Sequence, residues 1–131
     1  MLTPPKDAEL IEFPTSTIWF DKSGIMYSVS KKVPAQSLEE ARKTIHKLDE
    51  LLQGRKVLWL ADVTNTAEST REMREWAAEV LPRYIKAIAM VSDSALGKML
   101  ANLFFTLKKQ PYPTKMFTNE KDAKEWLMQY L

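Results

Sequence analysis

Apolar residues recur along this chain with two periods, and the changes between them mark out strands and helices. Thr17-Ile18-Trp19-Phe20 and Ile25-Met26-Tyr27-Ser28-Val29 are rich in β-branched and aromatic residues, with Asp21-Lys22-Ser23-Gly24 between them. That spacing predicts a β-hairpin closed at Gly24. Glu9 to Phe13 predicts an edge strand ahead of it. From Ser37 the period becomes helical, with Leu38, Ala41, Ile45, Leu48 and Leu52 on one side. Ser37 and Glu40 form a capping box at its start, and Gly54 stands at its C-cap. Val57 to Ala61 and Ile85 to Val91 are apolar on both parities, as in strands buried on both faces. Between them, Ser69 with Glu72 predicts a second capping box and a helix whose inner face is Met73, Trp76, Ala77, Val80 and Leu81. Asp93 or Ser94 caps a third helix, with Leu96, Met99, Leu100, Leu103, Phe104 and Leu107 expected to face inward. Pro111 and Pro113 stop it. Thr114 to Phe117 reads as a short strand. Thr118 or Asn119 opens a last helix, with Ala123, Trp126, Leu127 and Tyr130 inward.

Strands alternating with helices imply crossovers. The expected class is α/β, with a single mixed, largely parallel sheet, an N-terminal β-hairpin and four helices. The 131 residues are expected to form one domain, with residues 1–14 as an N-terminal arm or edge strand. There is no internal repeat and no low-complexity tract.

Composition narrows the chemistry. Cysteine is absent, which removes disulfides, thiolate metal sites and Cys nucleophiles. His46 is the single histidine, so a His-rich metal site is excluded. Gly24, Gly54 and Gly97 are the only glycines, too few for a Gly-rich phosphate loop. The net charge of +2 is too small for a dedicated nucleic-acid binder. No apolar run approaches the ~20 residues of a membrane span. The N-terminus lacks the uninterrupted apolar stretch of a signal peptide. A cytoplasmic location is expected. Glu72, Glu75 and Glu79 lie on a polar helix face and read as solvated surface. No spacing predicts a catalytic constellation or a metal site, so neither cofactor nor enzymatic activity is expected.

The order of elements, together with Ile18-Trp19-Phe20, Gly24-Ile25-Met26-Tyr27, Leu60-Ala61-Asp62-Val63-Thr64, Ala87-Ile88-Ala89-Met90-Val91 and the tail Pro113-Thr114-Lys115-Met116-Phe117-Thr118 with Ala123-Lys124-Glu125-Trp126-Leu127, resembles small bacterial STAS-like proteins. These share the SpoIIAA-like architecture of anti-sigma-factor antagonists and of CRAL-TRIO lipid-binding domains. The resemblance is closest to an uncharacterised STAS-like group and covers the chain from about residue 15. It implies a regulatory or interaction module that docks a protein partner at the loop after the central strand. In anti-sigma-factor antagonists that loop carries an Asp-Ser pair whose serine is phosphorylated. The pair is missing here, which leaves Ser69 and Thr70 nearest to the phosphosite.

The candidate partner or phosphosite residues are therefore Asp62, Thr64, Asn65, Thr66, Ser69 and Thr70, with Ser94 at the end of the next strand. Ligands of open α/β sheets bind at such strand ends, and helix N-termini suit phosphate. The alternative is that these residues only cap and turn. A second candidate is a surface on the third helix. Residues 94–116 contain no acidic group but four lysines, and helical spacing sets Phe105 beside Lys98 and Lys109, opposite the leucines. A contact with a partner, a second copy of the chain or an anionic surface is the expectation there. A lipid or other small ligand is the rival expectation. It implies an apolar cavity beneath the third helix, between Leu96, Met99, Leu103 and the sheet.

Overall fold

The structure, a computed structural model, describes the backbone of residues 2–106 and 110–131, and the side chains among them other than those of 104–106. Strands β2 (Ser16–Phe20) and β3 (Met26–Ser30) form the expected hairpin. Its turn is organised by Asp21, whose Oδ1 accepts from the Ser23 and Ile25 amides at 2.9 and 3.0 Å. Gly24 supplies the positive φ of 89° that closes the turn. Strand β1 (Ile11–Glu12) pairs antiparallel with β2 and is shorter than the expected 9–13.

Helix α1 (Leu38–Leu52) begins with the expected reciprocal capping box of Ser37 and Glu40. It ends on Gln53 in the left-handed region (φ 50°), followed by Gly54 (φ 82°). Strand β4 (Val57–Asp62), helix α2 (Arg71–Val80) with a 3-10 turn at Leu81–Arg83, strand β5 (Ile85–Val91), helix α3 (Ala95–Thr106), strand β6 (Thr114–Phe117) and helix α4 (Glu120–Met128) complete the order. The start of α2 corrects the expected cap. Thr70, not Ser69, is the N-cap, and its hydroxyl accepts from the Met73 amide at 3.1 Å. Ser69 instead offers its carbonyl to the Arg74 guanidinium at 2.6 Å.

The six strands lie side by side in chain order, β3 to β6 parallel. Each crossover therefore steps in the same direction. Right-handed connections that all step one way put their helices on one face. So α1, α2 and α3 share a face with Ile18, Met26, Trp59, Ala61, Ile88 and Met90. The other face carries Trp19, Tyr27, Leu58, Leu60, Ala87 and Ala89, and is covered by Ala123 and Leu127 of α4 together with Leu2. Phe117, Trp126 and Tyr130 extend that core as an aromatic chain with centroids 5.6 and 5.2 Å apart.

Helix α3 corrects the expected inner face. Leu96 and Met99 are 60% and 59% exposed, whereas Gly97 and Ala101 are buried against the sheet side. A Cβ built on Gly97 would lie 2.4 Å from the Val63 carbonyl oxygen and 2.5 Å from that of Thr64. The helix thus rests its backbone on the chain after β4, which only a residue without a side chain permits. The large apolar residues at 96 and 99 are turned outward in consequence.

Candidate functional site: an apolar cavity between the sheet and two helices

Helix α4 lies close along β4 and β5, and α1 and α2 stand further from the opposite face. Between those two helices and the sheet is a cavity of about 290 Å³. Its floor is the outward side of β2, β3 and β4, with Ile18, Met26, Ser28, Trp59 and Ala61. Its roof is Ile45 and Leu48 from α1 and Met73, Trp76 and Ala77 from α2. Polar groups collect on the rim, from Ser30 at the end of β3, from Lys31 and Gln36 after it, and from Asn65, Thr66 and Ser69 after β4. Ile45, Leu48, Met73 and Trp76 hold the helical spacing of a core face but are only half-buried, because they meet empty space.

The rim is tied together by hydrogen bonds between strand ends. The Asp62 Oδ1 accepts from the Thr64 amide at 2.9 Å and the Thr64 hydroxyl at 2.6 Å. Its Oδ2 accepts from the Leu2 amide at 2.7 Å, so the 2%-exposed carboxylate is fully engaged. Thr64 Oγ1 in turn accepts from the Asp93 amide at 3.0 Å, which joins the ends of β4 and β5. The Asn65 amide donates to Ser30 Oγ at 3.0 Å, which joins β4 to β3. Lys31 Nζ donates to the Phe13 carbonyl at 2.8 Å and pairs with Glu12 at 3.1 Å. Thr17 and Lys31 hold the exposed Glu12 carboxyl below the usual range.

Of the sequence-predicted residues, Asp62, Asn65, Thr66 and Ser69 line the cavity, and Thr64 knits its rim. Thr70 is exposed at the head of α2. Ser94 lies apart, where its Oγ accepts from the Gly97 amide at 3.2 Å and caps α3. Lys98 is exposed and borders a shallow groove with Lys115 and Trp126. The Phe105 side chain and Lys109 lie outside the described residues. The cavity is instead beneath α1 and α2, and among the described side chains of α3 only Ala101 lines it. His46 faces Glu50 at 3.1 Å on the exposed side of α1.

Sequence reasoning missed the lining itself. Ile45, Leu48, Met73, Trp76 and Trp59 carry no signal separating a cavity wall from a filled core. Ser28 does carry one, being a hydroxyl inside an apolar strand. It is 4% exposed, and its Oγ accepts from the Trp59 indole Nε1 at 2.7 Å.

This six-stranded, mostly parallel sheet with its four helices is similar in fold to a solved uncharacterized protein from the DUF3478 family of Shewanella loihica PV-4, which has a SpoIIAA-like fold. It aligns over 95% of this chain and 98% of its own with a TM-score of 0.58 and 17% identity. A second solved protein of unknown function, from Arthrobacter sp. FB24, aligns over 86% of this chain and 92% of its own at 25% identity and a TM-score of 0.31. No curated protein matches significantly. The protein is thus an α/β protein with a SpoIIAA-like fold, as the sequence resemblance implied. It belongs to the family described as a domain of unknown function (DUF7793), which matches residues 18–131. No helix among the described residues is long and apolar enough to cross a membrane.

Proposed function

We propose that the protein is a non-enzymatic binding module that takes a small, largely apolar molecule into the cavity between α1, α2 and the sheet. The observation that carries this reading is the cavity's size and lining, about 290 Å³ walled by Ile18, Met26, Ile45, Leu48, Trp59 and Trp76. Small-molecule sites are mostly apolar concavities with a few placed polar groups. A dry apolar cavity of about 150 Å³ accommodates benzene. This one has about twice the volume, which suits a bicyclic ring system or a short acyl chain.

The test is native mass spectrometry after gentle purification, followed by calorimetric titration with indane. A bound small molecule, or saturable binding of indane, supports the reading. At one hundred times its Kd a ligand adds about 2.7 kcal/mol to stability, which a melting curve also registers. Ala77→Phe puts a ring into the cavity from the α2 side and abolishes binding. No bound molecule and no saturable titration would overturn the reading.

A second reading, docking of a protein partner beside the Asp62–Thr70 loop, is favoured by one observation. Leu96 and Met99 are exposed on the helix whose Gly97 rests on that loop, and Lys98 is exposed on the same helix. A second copy of the chain is the simplest partner for such a face. Leu96→Glu with Met99→Glu then converts a dimer to a monomer in light scattering, and an unchanged mass rules self-association out.

A further inference from the structure

Of the hydroxyls that β2 and β3 turn to the cavity, those of Ser16, Ser28 and Ser30, Ser28 is the buried one, and its bonding is incomplete. A serine hydroxyl offers one proton and two lone pairs. The indole of Trp59 can only donate, so the 2.7 Å bond from Nε1 occupies a lone pair of Ser28 Oγ and leaves the proton uncommitted. Among the described residues no acceptor meets that proton, although Ser28 is 4% exposed. Its neighbours across the sheet are Ile18 on β2 and Ala61 on β4, neither with a polar side-chain atom. Leaving a buried donor unmade is unfavourable, and a ligand that completes it binds more tightly than one that cannot.

We infer that Ser28 is a specificity-determining residue of the cavity, donating its hydroxyl proton to an uncharged oxygen acceptor, such as a carbonyl or ether, on the inner end of an otherwise apolar ligand. The acceptor is uncharged because an ionised carboxylate set at Ser28, among Ile18, Met26, Trp59 and Ala61, would lose most of its hydration. Trp59 acts through Ser28. Its indole fixes the hydroxyl by filling the lone pair that faces it, so the proton points elsewhere. This inference rests on the proposed binding reading and goes further by naming the ligand's polar group.

The experiment is calorimetric titration with two bicyclic probes of nearly equal shape, indane and 1-indanone, which differ by the carbonyl oxygen. Against the unaltered protein, 1-indanone is expected to bind about three- to tenfold more tightly than indane, the range of one neutral hydrogen bond. Ser28→Ala alone strands the Trp59 N–H, so Ser28→Ala with Trp59→Phe is the cleaner variant. It is expected to bind both probes with equal affinity. Trp59→Phe alone keeps the hydroxyl and is expected to keep a preference for 1-indanone. Equal affinity for both probes in the unaltered protein overturns the role of Ser28 and leaves the cavity reading standing. Loss of the preference in Trp59→Phe while Ser28 is intact overturns it too, because the donor is then the indole. Failure of both probes to bind the unaltered protein overturns the inference and the binding reading together.

Discussion

Gly97→Ala tests the packing that sets the position of α3. Helix propensity alone favours the change, since alanine exceeds glycine by about 1 kcal/mol within a helix. The structure opposes it. The new methyl would stand 2.4 Å from the Val63 carbonyl oxygen and 2.5 Å from that of Thr64, with the Thr64 carbonyl carbon at 2.9 Å. Ordinary contact begins near 3.4 Å, so helix and loop must separate by about 1 Å. The atoms in the way are backbone, and no rotamer change relieves them. Overpacking of this kind costs about 1–3 kcal/mol, and the rigid obstacle places this case toward the upper end. After subtracting the propensity gain, the net loss is about 1–2 kcal/mol, or a fall in Tm of roughly 4–8 °C for a chain of this length. The assay is urea and thermal unfolding followed by far-UV circular dichroism. Lys98→Gly, at the exposed next position, is the control and loses about 1 kcal/mol through propensity alone. A Gly97→Ala protein as stable as the parent, or more so, would refute the close approach of α3 to residues 63–64.

Three further outcomes follow from single observations. Because the Thr70 hydroxyl, and not that of Ser69, caps α2, Thr70→Ala should cost about 1 kcal/mol in urea unfolding and Ser69→Ala much less; the reverse ranking would restore Ser69 as the cap. Burial pushes the Tyr112 hydroxyl up to about 12, and among the described residues no hydrogen-bond partner meets its oxygen; Tyr112→Phe should therefore raise stability by about 1 kcal/mol, and a loss would mean that the hydroxyl is satisfied. Burial opposes ionisation of Asp21, but hydrogen bonds from Ser23 and Ile25 and the charge of Lys124 outweigh it and hold the carboxyl below its ordinary 3.8. A depressed folded value contributes stability above the unfolded value that is lost as pH falls through the folded one. Asp21→Asn should thus flatten the acid limb of the stability profile below pH 3.8, and an unchanged limb would count against that role.

The elements that could be read from the sequence are those specified by local chemistry. Asp21 and Gly24 make a turn whatever surrounds them, and Ser37 with Glu40 caps α1 through bonds three residues apart. The two-sided apolar runs at 57–61 and 85–91 declared central strands because only burial on both faces tolerates them. The face of α3 was not legible. Hydrophobic periodicity assigns the buried side to the largest apolar residues, but close approach to a carbonyl-lined loop selects the smallest, Gly97 and Ala101. The cap of α2 slipped by one residue because Ser69 and Thr70 are both competent and only the path of the connection decides between them. The cavity was hidden for a different reason. Ile45, Leu48, Met73 and Trp76 have the spacing of a core whether or not anything fills the space in front of them, and that depends on how far α1 and α2 stand from the sheet.

The charges near the cavity bear on what it can hold. Asp62 and Lys31 are the charged residues of its lining, and both are already engaged. The Asp62 carboxylate accepts three protein donors, from Thr64 twice and from Leu2. The Lys31 ammonium is held by Glu12 and the Phe13 carbonyl. An ionic ligand would have to compete with these bonds for a partner, and breaking either set leaves a buried or half-buried group unsatisfied. A neutral ligand disturbs neither. The bonds from the Asn65 amide to Ser30 and from the Asp93 amide to Thr64 fasten the ends of β3, β4 and β5 to one another, and the Lys31–Glu12 pair holds β1 to the segment after β3, so the rim is held in place before anything binds. A floor with a buried, uncommitted hydroxyl at Ser28, an apolar roof and a rim whose charges are neutralised internally favours an uncharged molecule over an anion, and shape and an acceptor over charge as the basis of selection.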